Sequence, residues 1–199
     1  MEDTHSHHLI MGKIKDFLTG ETLLDTHDER YRQTLAKHLV NVLGYDKQRV
    51  EKNRKIQIKT NGKTAHLEMD LMVFSGDRAV MMIKYAPGSL VTRRLANLAL
   101  SRIIFPYQIP VVVTTNGEDA EVISGSSGKV TGQGISSIPG PEETDLYSLP
   151  GALKPIGLSL FEKASKIAYA CEVDGSCMID NDFKCSNFYC YPSQRPDQN

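Results

Sequence analysis

The stretch that decides the fold is Ala65-His66-Leu67-Glu68-Met69-Asp70-Leu71-Met72-Val73-Phe74-Ser75-Gly76-Asp77-Arg78-Ala79-Val80-Met81-Met82-Ile83-Lys84-Tyr85-Ala86-Pro87-Gly88. Two apolar runs flank the turn Ser75-Gly76-Asp77, and the second ends at Ala86-Pro87-Gly88, which no strand continues through. Period-two geometry puts Leu67, Met69, Leu71 and Val73 on one face of the first run and His66, Glu68, Asp70, Met72 and Phe74 on the other. Asp70 therefore sits where a polar face turns apolar. A carboxylate placed there needs a cation, a metal or several donors, because burying it unpaired costs several kcal/mol.

Working outward, Ile56 and Ile58 alternate with polar residues and Asn61-Gly62 supplies a tight turn, so a hairpin leads into the strand that carries Asp70. Upstream, Leu35, Leu39 and Leu43 recur every four residues after Asp25-Thr26-His27-Asp28, which predicts an N-capped helix from about 27 to 43, stopped by Gly44. Downstream, Leu90–Phe105 has helical spacing, and Val111–Thr115 and Ala120–Ser124 read as strands. Gly117–Gly134 reads as a hairpin, since its glycines follow no phosphate-binding pattern. The order helix, three strands, helix, strand predicts an α/β fold, a mixed β-sheet flanked by helices.

Prolines crowd between Pro139 and Pro155, dividing the chain into a flexible N-terminus (1–15), an α/β domain (16–138), a Pro-rich linker (139–155) and a tail (156–199) with a helix over about 156–170. That helix is expected to pack on the body or to form a homodimer. All four cysteines, Cys171, Cys177, Cys185 and Cys190, lie in the tail. Their spacing suits one zinc ion or an iron–sulfur cluster, two disulfides, or free thiols, and the lack of a Cys-x2-Cys pair leaves the three readings open. No run of apolar residues is long enough to cross a bilayer and the N-terminus lacks a leader pattern, so a cytoplasmic protein without membrane contact is expected.

The 199 residues carry 23 Lys+Arg against 24 Asp+Glu. Near-neutrality is a sum over unlike parts. Between Gly44 and Pro106 there are 12 basic residues against five acids, a net of +7, while 140–199 carry five against nine, −4. A local basic field is what phosphate contact requires, and Arg54, Lys55, Arg93 and Arg94 are the candidate contacts. Basic residues on hairpin edges also discourage sheet-to-sheet aggregation, the competing use for them.

Taken together, Asp16-Phe17-Leu18-Thr19-Gly20-Glu21, Glu29-Arg30-Tyr31-Arg32-Gln33, Leu43-Gly44-Tyr45, Met69-Asp70, Ala86-Pro87-Gly88 and Val113-Thr114-Thr115-Asn116-Gly117 resemble, in order and spacing, the N-terminal domain of the type I restriction enzyme R subunit, a member of the PD-(D/E)XK nuclease superfamily. The resemblance covers about 16–138 and implies a restriction-endonuclease-like core. It also implies a helix Glu at Glu29, a metal-binding Asp at Asp70 and a Glu-x-Lys just before Ala86-Pro87. In such a site the strand carboxylates hold Mg²⁺ and the Lys orients the attacking water. Here the Glu-x-Lys positions are Ile83 and Tyr85, with Lys84 between them.

That departure implies a DNA-binding or scaffold module whose metal-dependent cleavage is impaired or lost. The alternatives are an active Mg²⁺-dependent deoxyribonuclease with a relocated site (Glu29, Asp70 and Lys84, with Glu68 as a displaced Mg²⁺ ligand) and a protein-interaction module. Alternation points Lys84 to the face opposite Ile83 and Tyr85. No helicase motif accompanies the domain, so a helicase or restriction partner chain would supply translocation.

Overall fold

The computed structural model describes residues 10–60, 63–172, 183–186 and 189–192. A short hairpin, β1 (Lys13–Lys15) and β2 (Thr22–Leu24), opens the chain and is followed by α1 (His27–Lys37). Thr26 caps α1 by accepting from the Glu29 N–H, and Asp28 and Glu29 in the first turn suit the positive end of the helix dipole. The helix ends in a π-helical turn over His38–Val42, and Gly44, at φ +84°, reverses the chain.

The main sheet follows: β3 (Val50–Thr60), β4 (Lys63–Ser75), β5 (Arg78–Tyr85), β6 (Val111–Thr115), β7 (Ala120–Ser124) and β8 (Val130–Gln133). Spatial order equals chain order. Only β5 and β6 run parallel, because α2 (Leu90–Leu100) carries the chain back between them, and the other neighbours are antiparallel. The architecture is thus a mixed six-stranded sheet between helices, as the pattern predicts.

Alternation along the central strands feeds two cores. Met81, Ile83, Val111 and Val113 pack with Leu35, Ala36 and Leu39 of α1, whereas Met82 and Val112 pack with Ala99 and Leu100 of α2. On this second side lies α4 (Leu158–Glu172), with Ala164 and Ala168 in the same core. The tail helix therefore spends its small-residue face on its own body. Leu158, Leu160 and Phe161 at its start stay exposed.

Three expectations need correction. The alternation of β4 is not continuous: Leu67 and Met69 join Met72 on the α2 side, while Leu71 and Val73 face α1. The phase changes around Asp70, opposite Asn53 of β3, whose φ of +53° is the single positive value among described non-glycine residues. The segment 10–15 is not flexible throughout, since Lys13–Lys15 pair with Thr22–Leu24.

Nor is 139–155 a free spacer. It forms α3 (Pro141–Asp145) and is strapped to the sheet layer: the Tyr45 hydroxyl donates to the Pro139 carbonyl (2.9 Å), Arg49 pairs with Asp145, and Arg78 donates to the Ser148 carbonyl (3.1 Å). Prolines here break regular structure without detaching the chain. The turn Asn61-Gly62 and Cys177 lie outside the described residues.

Candidate functional site

Beyond Leu71, paired with Ile83, the β4–β5 ladder ends, and β4 continues alongside β3 alone. Asp70 stands at this parting of the strands and is 6% exposed. Its Oδ1 accepts from Arg32 Nε at 2.6 Å, and its Oδ2 accepts from the Tyr85 backbone N–H at 3.0 Å with Lys84 Nζ 3.6 Å away. Lys84 does leave Ile83 and Tyr85 for the other face of β5. Because the ladder stops there, its side chain reaches past the strand end, donating to the Glu68 carbonyl (2.8 Å) and lying 3.9 Å from Glu172 at the end of α4.

Glu29 and Arg32 are one helical turn apart on α1, and Arg32 Nη1 lies 3.7 Å from Glu29 Oε2. The guanidinium thus sits between the helix glutamate and the strand aspartate. Burial works against its charge, but the neighbouring Asp70 carboxylate outweighs that and raises its pKa. Sequence reasoning singled out Glu29, Asp70 and Lys84 but not Arg32, the cation that joins two of them. Its signal was available, since Arg32 follows Glu29 by three positions on the same helix.

A second buried carboxylate adjoins this group. Asp16, in the turn between β1 and β2, accepts from the Leu18 and Thr19 N–H groups (3.0 and 2.7 Å) and from Gln33 Nε2 (2.8 Å), and forms an ion pair with Lys52 Nζ (3.0 Å). Burial alone would raise its pKa, but the Thr19 N–H, Gln33 and Lys52 outweigh it and hold it at about 2. Gln33 Nε2 also donates to Glu29 Oε1 at 2.7 Å. A continuous chain of contacts results, Lys52–Asp16–Gln33–Glu29–Arg32–Asp70–Lys84–Glu172. Charges alternate along most of it, three cations against four carboxylates, so the side chains of the site offset most of one another's charge.

Tyr85, at the position the resemblance gives to a lysine, turns toward α1. Its hydroxyl donates to Asp28 (3.0 Å), its ring stacks on Tyr31 (5.7 Å between centroids), and Arg32 lies over its face at 5.3 Å. Burial, with the Asp28 carboxylate beside it, pushes the phenol pKa well up. Ile83 is fully buried in the α1-side core.

The remaining candidates are dispersed. Glu68 is exposed and offers only its carbonyl to Lys84. On β3, Arg54 pairs with Glu51 (2.8 Å) and lies over the Phe105 ring at 5.0 Å, while Lys55 is exposed opposite Glu68. On α2, Arg93 is half-buried and Arg94 forks onto the buried carboxylate of Glu121, a structural use of that guanidinium. Cys171 lies in the last turn of α4, and Cys185 and Cys190 are directly opposite in the hairpin β9 (Phe183–Ser186) and β10 (Tyr189–Pro192).

The Mg²⁺ site implied by the resemblance does not fit these residues. Mg²⁺ asks for octahedral oxygen ligands. Both Asp70 oxygens already accept from nitrogen donors, and Ile83 offers no oxygen in its side chain. Among the described residues no three His, Cys, Asp or Glu side chains gather to hold a metal ion.

A mixed sheet between helices, with a carboxylate and a lysine where two strands part, defines an α/β protein whose polar site sits at the sheet's open end. Residues 27–139 match the family model of the type I restriction enzyme R protein N terminus, and the chain belongs to that family. No curated protein and no solved structure matches. The matched segment contains Glu29, Arg32, Asp70, Lys84 and Tyr85; Asp16 and Glu172 lie outside it. No described helix is long and apolar enough to cross a membrane.

Proposed function

We propose that this domain has a PD-(D/E)XK-like core and handles DNA without cutting it, an arginine serving where a divalent cation would bridge carboxylates. The observation that carries the reading is Arg32 between Glu29 and Asp70, with Lys84 and the Tyr85 N–H completing the coordination of Asp70. A guanidinium satisfies carboxylates by forked hydrogen bonds but carries no bound water to activate. The segment 44–106 carries a net charge of +7 in sequence; Arg49, Lys52, Lys84 and Arg94 pair with acids from outside it, and the exposed Lys55 and half-buried Arg93 are the candidate phosphate contacts among the described residues. In a restriction assembly such a module would hold DNA for a partner chain that supplies translocation and cleavage.

Supercoiled DNA incubated with Mg²⁺ or Mn²⁺ is expected to stay intact, while the same protein retains duplex DNA at low salt and releases it as salt rises. Absence of retention at low salt would refute the DNA-handling role. The second reading, a relocated nuclease site, draws on the 3.6 Å approach of Lys84 to Asp70. Metal-dependent cleavage abolished by Asp70→Ala would establish it in place of the first.

A further inference from the structure

The cysteine tail is a motif that the site at Asp70 leaves unused. Among the described residues, β9 and β10 pair with each other alone, outside the six-stranded sheet, and β10 lies alongside α4. A lone two-stranded hairpin is marginal in water and needs packing or a cross-link to persist.

The backbone register supplies the cross-link. Two residues, 187 and 188, separate the strands, and the ladder begins with Ser186 opposite Tyr189. A pair that closes so short a connection exchanges both backbone hydrogen bonds, and pairs along an antiparallel ladder alternate. The next pair, Cys185 opposite Cys190, is therefore of the non-hydrogen-bonded kind. Opposite residues come closest in that kind of pair, with Cα atoms about 4.5 Å apart against about 5.5 Å in the other. A disulfide spans roughly 4.4–6.8 Å between Cα atoms, so the bond fits this pair.

Other uses of these cysteines ask for more. A structural zinc ion takes four ligands, of which the register supplies two. A directly opposed pair needs no third residue. We propose that Cys185 and Cys190 form a reversible disulfide that staples the β9–β10 hairpin. The oxidant is a low-molecular-weight disulfide such as oxidised glutathione. One cysteine thiolate attacks it, expelling one glutathione and leaving a mixed disulfide; the second thiolate attacks the protein sulfur of that bond and expels the other glutathione. The pair gives up two protons and two electrons, and oxidised glutathione becomes two molecules of the thiol. Reductant reverses both steps. The proposal is independent of the DNA-handling reading.

The test equilibrates the full chain in glutathione buffers of rising oxidised fraction, alkylates it in denaturant and maps the cysteines by mass spectrometry. Cleavage after Phe188 or Tyr189 separates Cys185 from Cys190, so a bridge shows as two peptides that stay joined until reductant is added. That bridge is expected to close at a lower oxidised fraction than any pairing with Cys171 or Cys177, and to persist in a Cys171→Ser/Cys177→Ser double variant. In Cys185→Ser, Cys190 is expected to pair with no other cysteine of the chain. Amide exchange in β9 and β10 is expected to slow about tenfold on oxidation.

A first bridge from Cys185 or Cys190 to Cys171 or Cys177 would overturn the proposal. So would a metal ion released as the pair is alkylated, or thiols that alkylate fully across the whole buffer series. Hairpin amides that exchange equally fast in the bridged and reduced chains would overturn the stapling.

Discussion

Asp16 and Asp70 flank the same helix, are 3% and 6% exposed, and are held in opposite ways. Asp16 is gripped by the turn it belongs to: two N–H groups within three residues, then Gln33 and Lys52. Asp70 is held by groups brought from far along the chain, Arg32 by α1 and Lys84 with the Tyr85 N–H by β5. The first arrangement is a structural knot. The second is assembled by tertiary contacts alone and leaves both carboxylate oxygens with nitrogen donors, so a buried aspartate at a strand end does not by itself announce metal chemistry; its neighbours decide.

If the contrast is right, removing Asp16 does the greater damage. Asp16→Ala leaves the nearly buried Lys52 ammonium with the exposed Glu21 carboxylate as its remaining partner and takes the acceptor from two turn N–H groups, and denaturant unfolding should show a loss of about 2–4 kcal/mol. Acid makes the same point without mutation. With a folded pKa near 2 against an ordinary 3.8, Asp16 contributes stability that is fully present above about pH 4 and is lost as pH falls toward 2. In Asp16→Asn the fall in melting temperature over that window should be shallower.

Asp70→Ala should cost less, about 1–3 kcal/mol, because the Arg32 and Lys84 heads retain some access to water. A double-mutant cycle of Arg32→Ala with Asp70→Ala should return a coupling of about 1–2 kcal/mol, whereas Arg32→Ala with Asp16→Ala, linked only through Glu29 and Gln33, should return a smaller one of about 0.5 kcal/mol. Strong coupling in the second cycle would break the division into two sites. The smallest effect is expected for Lys84→Ala, about 1 kcal/mol or less, since its contact with Asp70 is the longest of the three.

Much of this was legible in the sequence. The hairpin, the turn at Ser75-Gly76-Asp77 and the strand ending at Ala86-Pro87 follow from alternation and turn chemistry, and Asp70 stands out as a carboxylate entering an apolar face. The Asp16 knot was missed, although Asp-x-x-Thr is the spacing at which an aspartate accepts from its own turn. The shift of phase between Met69 and Leu71 was not readable from β4 alone, since it coincides with the left-handed Asn53 across the ladder. The proximity of Lys84 to Asp70 likewise follows from where the β4–β5 pairing stops, which local pattern does not encode. The strap at 139–155 was hidden by its prolines, since composition reports irregular backbone and says nothing of docking through Tyr45 and Arg49.

The central claim is that Arg32 serves where a metal would, and incubating the protein with supercoiled DNA across Mg²⁺ and Mn²⁺ beside Asp70→Ala tests it most directly. Intact DNA is expected from both proteins under every metal condition. Nicking or linearisation by the wild type that disappears in Asp70→Ala would contradict it.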